Sequence, residues 1–90
     1  MQKIEIYTKD YCPYCKRAKD LLRIKGVDFT EHEISQDPER ENEMHERSGR
    51  VTVPQIFIDG QPIGGCDELF KLDEEGKLNA LLRKPYNLLD

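Results

Sequence analysis

The chain has 90 residues, 37% of them hydrophobic and 36% charged, with a formal net charge of −4. That length suits one domain, residues 1–90, with a single modest core. The acidic balance argues against nucleic acid as a partner, and no apolar run approaches the roughly 18 residues of a membrane span. The start, Met1-Gln2-Lys3-Ile4, lacks the basic and long apolar stretches of a signal peptide, so a cytoplasmic location is expected. Three cysteines make an odd count, too few for a secreted disulfide scaffold. In a reducing compartment a close pair is more often catalytic or metal-binding than structural.

Lys3 to Thr8 alternates, with Ile4 and Ile6 on one side, as a strand does. A helix is expected from Pro13 to about Lys25, because proline suits a first helical position and Gly26 suits the residue past the end. Cys15, Ala18, Leu21 and Leu22 share its inner face. Val27 to Ile34 reads as a second strand, which completes a βαβ unit with parallel pairing. Asp37-Pro38-Glu39 opens a second helix that Ser48-Gly49 ends. Met44 is its only large apolar residue, so it should lie largely exposed.

Val53 to Ile58 reads as a third strand, and Asp59-Gly60 as a type I′ hairpin turn. Gln61-Pro62-Ile63 is then a fourth strand, and Pro62 makes it an edge. Cys66 or Asp67 should cap a third helix that runs to Glu75 and buries Leu69, Phe70 and Leu72. Leu78, Leu81 and Leu82 mark a last short helix that stops before Pro85, and Tyr86 to Asp90 reads as a tail. No internal repeat, linker or low-complexity tract breaks the order β-α-β-α-β-β-α-α.

The chemistry concentrates at Tyr11-Cys12-Pro13-Tyr14-Cys15, between the first strand and the first helix. A thiolate, not a thiol, attacks a disulfide, and a free thiol with a pKa of about 8.5 is only about 3% ionised at pH 7. The unpaired N–H groups and dipole of a helix N-terminus favour the anion. A stabilised thiolate is also a good leaving group from a mixed disulfide. Cys12 is therefore the expected nucleophile, and Cys15, one turn inside the helix, the resolving thiol.

Half of a zinc site is the plain alternative for Cys-x-x-Cys, but Cys66, His32 and His45 supply no partner at motif spacing. Lys9, Lys16, Arg17 and Lys19 surround the pair, a patch that suits a small anionic substrate. Lysines that simply face water on an exposed helix account for Lys16 and Lys19 equally well. Two further segments point to a binding cleft. Pro54 precedes an apolar strand, where a cis bond would turn the backbone of Val53 outward. Gly64-Gly65 leads into a helix start, a ready place for an anion against backbone N–H groups. Asp67 there is a helix cap or an acceptor for a ligand ammonium, and Cys66 alone reads as a small buried hydrophobe.

Together Cys-Pro-Tyr-Cys at 12–15, Thr-Val-Pro at 52–54 and Gly-Gly-Cys-Asp at 64–67 resemble the glutaredoxins, in particular the short bacterial dithiol type, over almost the whole chain. The resemblance implies an α/β thioredoxin fold: a four-stranded mixed sheet of order 2-1-3-4, strand 3 antiparallel to strand 1, with helices on both faces. It implies a glutathione-dependent thiol–disulfide oxidoreductase that reduces protein disulfides and protein–glutathione mixed disulfides. Glutathione is the reducing co-substrate, no metal is expected, and an NADPH-dependent glutathione reductase recharges the cycle. By position, Cys12 attacks and Cys15 resolves, Tyr14 flanks the groove, and Val53, beside the cis bond to Pro54, pairs its backbone with the cysteinyl unit.

Asp67 and the N–H of Cys66 would hold the γ-glutamyl end, Lys9 the glycyl carboxylate with Arg40 as the lesser candidate, while Thr52 and Gly65 line the site. The expected protein is a monomer that acts on disulfide-containing or glutathionylated proteins. Two rivals remain at this point. One is an iron–sulfur cluster module that uses Cys12 and glutathione, which Pro13 argues against. The other is a redoxin recharged by thioredoxin reductase, which leaves Gly64-Gly65-Cys66-Asp67 without a purpose.

Overall fold

A computed structural model of the chain describes residues 2–83. The expectations for Pro85 and for the tail from Tyr86 to Asp90 lie outside these described residues. The sheet contains β1 (Ile4–Thr8), β2 (Thr30–Glu33), β3 (Gln55–Ile58) and β4 (Gln61–Gly64) in the order β2-β1-β3-β4. β1 runs parallel to β2, with Glu5 beside Thr30, and antiparallel to β3, with Ile4 beside Ile58. The helices are α1 (Pro13–Ile24), α2 (Pro38–Ser48), α3 (Cys66–Glu74) and α4 (Lys77–Arg83). Asp59 and Gly60 both take positive φ, 53° and 81°, as the type I′ turn between β3 and β4 requires.

The two faces of the central strands are built from different chemistry. On one, Ile4, Ile6, Ile56 and Ile58 pack with Ala18, Leu21 and Leu22 of α1, Leu69 of α3, and Leu78 and Leu82 of α4. This is the apolar stripe of α1 read from the sequence, and it fixes the helix that begins at Cys12. On the other, Tyr7 and Phe57 meet Ile34 and Met44. Every residue of β1 is buried, including Glu5 and Thr8, because α2 closes the second face.

Met44 is the one buried residue on α2, as its pattern suggested. The helix is also anchored by charge. Arg47 donates through Nη1 and Nη2 to Glu5 at 3.1 and 3.0 Å, and through Nη1 to the Tyr7 hydroxyl at 2.7 Å. Its guanidinium lies 4.1 Å from the centre of the Phe57 ring, a cation–π contact. The Tyr7 hydroxyl donates to Glu43, and His32 Nε2 sits 3.1 Å from Glu5. The Arg47 hydrogen bonds hold the Glu5 carboxyl down at about 2, against the opposing effect of burial and with help from His32. The same contacts raise the pKa of Arg47, so this pair stays ionised across the working range.

Several boundaries differ from the sequence reading, among them β3, which begins at Gln55 rather than Val53, past the cis Val53–Pro54 bond. β2 is shorter than Val27 to Ile34: Val27 and Phe29 pack part-buried on the core before the ladder starts, and Ile34 follows it, buried, with its N–H on the Thr8 carbonyl at 2.9 Å. An edge strand with one partner keeps only the pairing that β1 offers. A further correction concerns α3, where Leu69 is buried as expected but Phe70 and Leu72 are only part-buried on the core. Gly65, not Cys66 or Asp67, is the N-cap residue, and the Glu68 side chain folds back to accept the Gly65 N–H at 2.6 Å. A Cβ at Gly65 would lie 3.1 Å from the Pro54 carbonyl oxygen, so the cap position is too close to the neighbouring segment for a side chain.

Candidate active site

Cys12 is the N-cap residue of α1, in extended backbone, with Pro13 as the first helical residue. Its Sγ accepts the Cys15 N–H at 3.2 Å and lies 3.8 Å from the Val53 carbonyl oxygen. An N–H at the first turn of a helix thus points at the sulfur. Cys15 is 1% exposed and sits on the inner face of α1 with Ala18 and Leu22. Burial, reinforced by the hydrogen bond to Cys12, pushes its thiol up to about 12. At neutral pH Cys15 therefore keeps its proton, while Cys12 reaches the cleft only through its contact with Val53, one of the residues that line it. Cys12, Cys15 and Cys66 are free thiols. Cys66 is buried in the core beside Leu69, and burial raises its thiol pKa.

Beside Cys12 opens a cleft of about 240 Å³. Tyr14, which is 54% exposed, forms one wall from α1. The segment Thr52-Val53-Pro54 forms the second wall, and the Val53–Pro54 bond is cis. The buried Gln55 side chain pins this segment by donating to the Thr52 carbonyl and hydroxyl at 3.0 and 3.2 Å. Gly65, Cys66 and Asp67, at the start of α3, form the third wall. α3 must leave the first N–H groups of its opening turn without helical acceptors, and Glu68 satisfies that of Gly65. Cys66 and Asp67, the next two residues, line the cleft.

Lys9 and Arg40 stand apart from these walls. Lys9 pairs with Glu41 at 3.3 Å, and the exposed Arg40 pairs with Glu43 of its own helix at 3.2 Å. The other cations near the thiols are also engaged: Lys16 with Asp20, Lys19 with Glu31 at 2.9 Å, and Arg17 over the Phe70 ring. Among the described residues no group of three or more histidine, cysteine or acidic side chains is placed to hold a metal ion, and no helix is long and apolar enough to cross a membrane.

Sequence reasoning missed Arg50 and Glu68, which both line the cleft and pair at 3.2 Å. The Gly65 N–H, then Arg50, hold Glu68 below the usual carboxylate range against its partial burial. A glutamate three residues after a helix cap was the available signal. It was hidden because the cap is a glycine rather than serine or threonine.

The glutaredoxin family model matches residues 4–63. The chain belongs to the glutaredoxin family. It is 58% identical over 83 residues to glutaredoxin 3 of Escherichia coli strain K12, a match that covers 92% of this chain and 100% of that protein. The solution structure of a Brucella melitensis glutaredoxin is 55% identical with a TM-score of 0.79, covering 89% of this chain and 87% of that one. A buckwheat glutaredoxin–glutathione complex has a TM-score of 0.85 at 31% identity, over 92% of this chain and 78% of that one. The glutaredoxin is accordingly a thiol–disulfide oxidoreductase with the thioredoxin fold expected of it.

Proposed function

We propose that this glutaredoxin draws its electrons from glutathione and reduces protein disulfides and protein–glutathione mixed disulfides. The observation that carries the reading is the Cys12 sulfur, held under the Cys15 N–H at 3.2 Å and 3.8 Å from the carbonyl of Val53, a residue that lines the cleft. The Cys12 thiolate attacks one sulfur of the substrate disulfide. A Cys12–substrate disulfide forms, the substrate S–S bond breaks, and the departing thiolate takes a proton from water.

Two routes close the cycle. In the first, Cys15 loses its proton and attacks the Cys12 sulfur. The internal disulfide forms and the second substrate thiolate leaves, so the substrate has gained two electrons and the enzyme has lost two. Two glutathiones then restore the dithiol and depart as glutathione disulfide. In the second, Cys12 carries a glutathionyl group and a further glutathione resolves it without Cys15. The high pKa of Cys15 suits it to wait as a thiol until Cys12 has reacted.

The cleft supports a tripeptide laid along it. Val53 offers its backbone to the cysteinyl unit, and Tyr14 and Thr52 flank it. Asp67 and the Cys66 N–H take the γ-glutamyl end beside Gly65, while Lys9 takes the glycyl carboxylate. Glutathione is abundant in a reducing compartment, so we assign the enzyme to the cytoplasm, acting as a monomer without a metal.

The decisive assay compares electron sources on a glutathionylated protein. Glutathione with its NADPH-dependent reductase should sustain turnover, and thioredoxin reductase alone should not. The reverse result would end the glutathione reading. Cys12→Ser should abolish turnover with either source.

A further inference from the structure

Lys9 already holds a carboxylate. Its ammonium lies 3.3 Å from Glu41 Oε2 on α2, with the two side chains 23% and 33% exposed. One turn further along α2, His45 Nε2 stands 3.9 Å from that same Glu41 oxygen, just beyond hydrogen-bond reach. This ring nitrogen is buried and has no hydrogen-bond partner among the described residues. Buried polar atoms are nearly always paired, so one left alone calls for an explanation. A shift of Glu41 by about 1 Å would bring it to the ordinary distance of about 2.9 Å from the His45 ring. Glu41 therefore stands between two partners, with the second standing unused.

We propose that Glu41 sets the enzyme's selectivity for the ligand carboxylate, by competing with it for Lys9 and releasing Lys9 when it turns to His45. The inference rests on the assignment of Lys9 to the glycyl carboxylate. A second carboxylate at the same ammonium is repelled by the first and shares its charge, so the incoming one competes with the resident. His45 lowers the cost of displacing the resident by accepting the displaced group. The Lys9 ammonium and the carboxylates that compete for it contain none of the bonds that form or break in the exchange. The competition therefore acts on KM and leaves kcat alone.

The test uses the mixed disulfide of glutathione with cysteamine, and the same compound with its glycine carboxyl amidated. Glu41→Gln should lower KM for the acid about two- to fivefold, the scale of an exposed ion pair. It should leave kcat, and KM for the amide, unchanged. His45→Leu should raise KM for the acid about twofold, again on the exposed ion-pair scale, and should have no effect in the Glu41→Gln background. If Lys9→Met raises KM for the acid but Glu41→Gln does not lower it, the competition is disproved and the Lys9 assignment survives. If Lys9→Met changes nothing, the assignment falls and the competition with it. Equal changes for acid and amide would reveal a general effect of charge or packing and would overturn the proposal.

Discussion

Glu5→Gln tests whether charge, rather than apolar area, secures α2. Glu5 is 6% exposed and receives both terminal nitrogens of Arg47. Its carboxyl titrates near 2 in the folded chain against an ordinary value of 4.5. At about 1.4 kcal/mol per pH unit, that difference is worth on the order of 3 kcal/mol at neutral pH. A depressed acid stabilises the fold fully above its unfolded pKa and ceases to as pH falls through its folded one. The contribution is therefore whole above about 4.5 and gone near 2.

Glutamine keeps one acceptor for Arg47, so the loss should be about 2–3 kcal/mol, or roughly 10–20 °C in Tm for a domain of this size. Thermal melts of both proteins from neutral pH downward give the check. The gap in Tm should be widest above about 4.5 and should close toward pH 2. Parallel curves at every pH, or equal Tm at neutral pH, would refute the charge anchor. Val53 packs against the same cluster as Met44 and Phe57, so the variant should also raise KM for glutathionylated substrates.

Cys15→Ser should retain removal of glutathione from mixed disulfides, which needs one thiol, and lose reduction of protein disulfides by the two-thiol route. Equal loss in the two assays would contradict that division. Gly64→Ala should destabilise by more than about 1–3 kcal/mol in urea titrations, because φ is +114° there and a Cβ would lie 2.8 Å from Glu68 Cβ and Cγ. Met44→Ala removes the one buried apolar side chain of α2 and should cost about 2–5 kcal/mol in the same measurement.

What could be read from the residues was what local chemistry enforces. Pro13 and Gly26 bracket α1, Asp37-Pro38 opens α2, and Asp59-Gly60 makes the turn, each through backbone geometry that few other residues supply. The βαβ start and the edge proline constrain the sheet, but the full strand order came from the family resemblance, and it is the order observed. Three separate stretches, at 12–15, 52–54 and 64–67, could be assigned to one cleft only through the family resemblance. No periodicity says that Val53 comes within 3.8 Å of Cys12.

Ion pairing was the larger blind spot, because a salt bridge between distant segments leaves no spacing to recognise. The cations around the thiols read as an open basic patch, yet Lys9, Lys16 and Lys19 each hold a carboxylate. α2 looked poorly anchored because its apolar pattern is thin. Its hold on the sheet runs through Arg47 to a glutamate on the central strand, and a hydrophobic count gives that interaction no weight. The two facts have one origin. A helix attached by polar contacts can also bring acids and bases to its rim, and there Glu41 reaches Lys9, three residues before Cys12. An apolar α2 would have left Lys9 without this carboxylate.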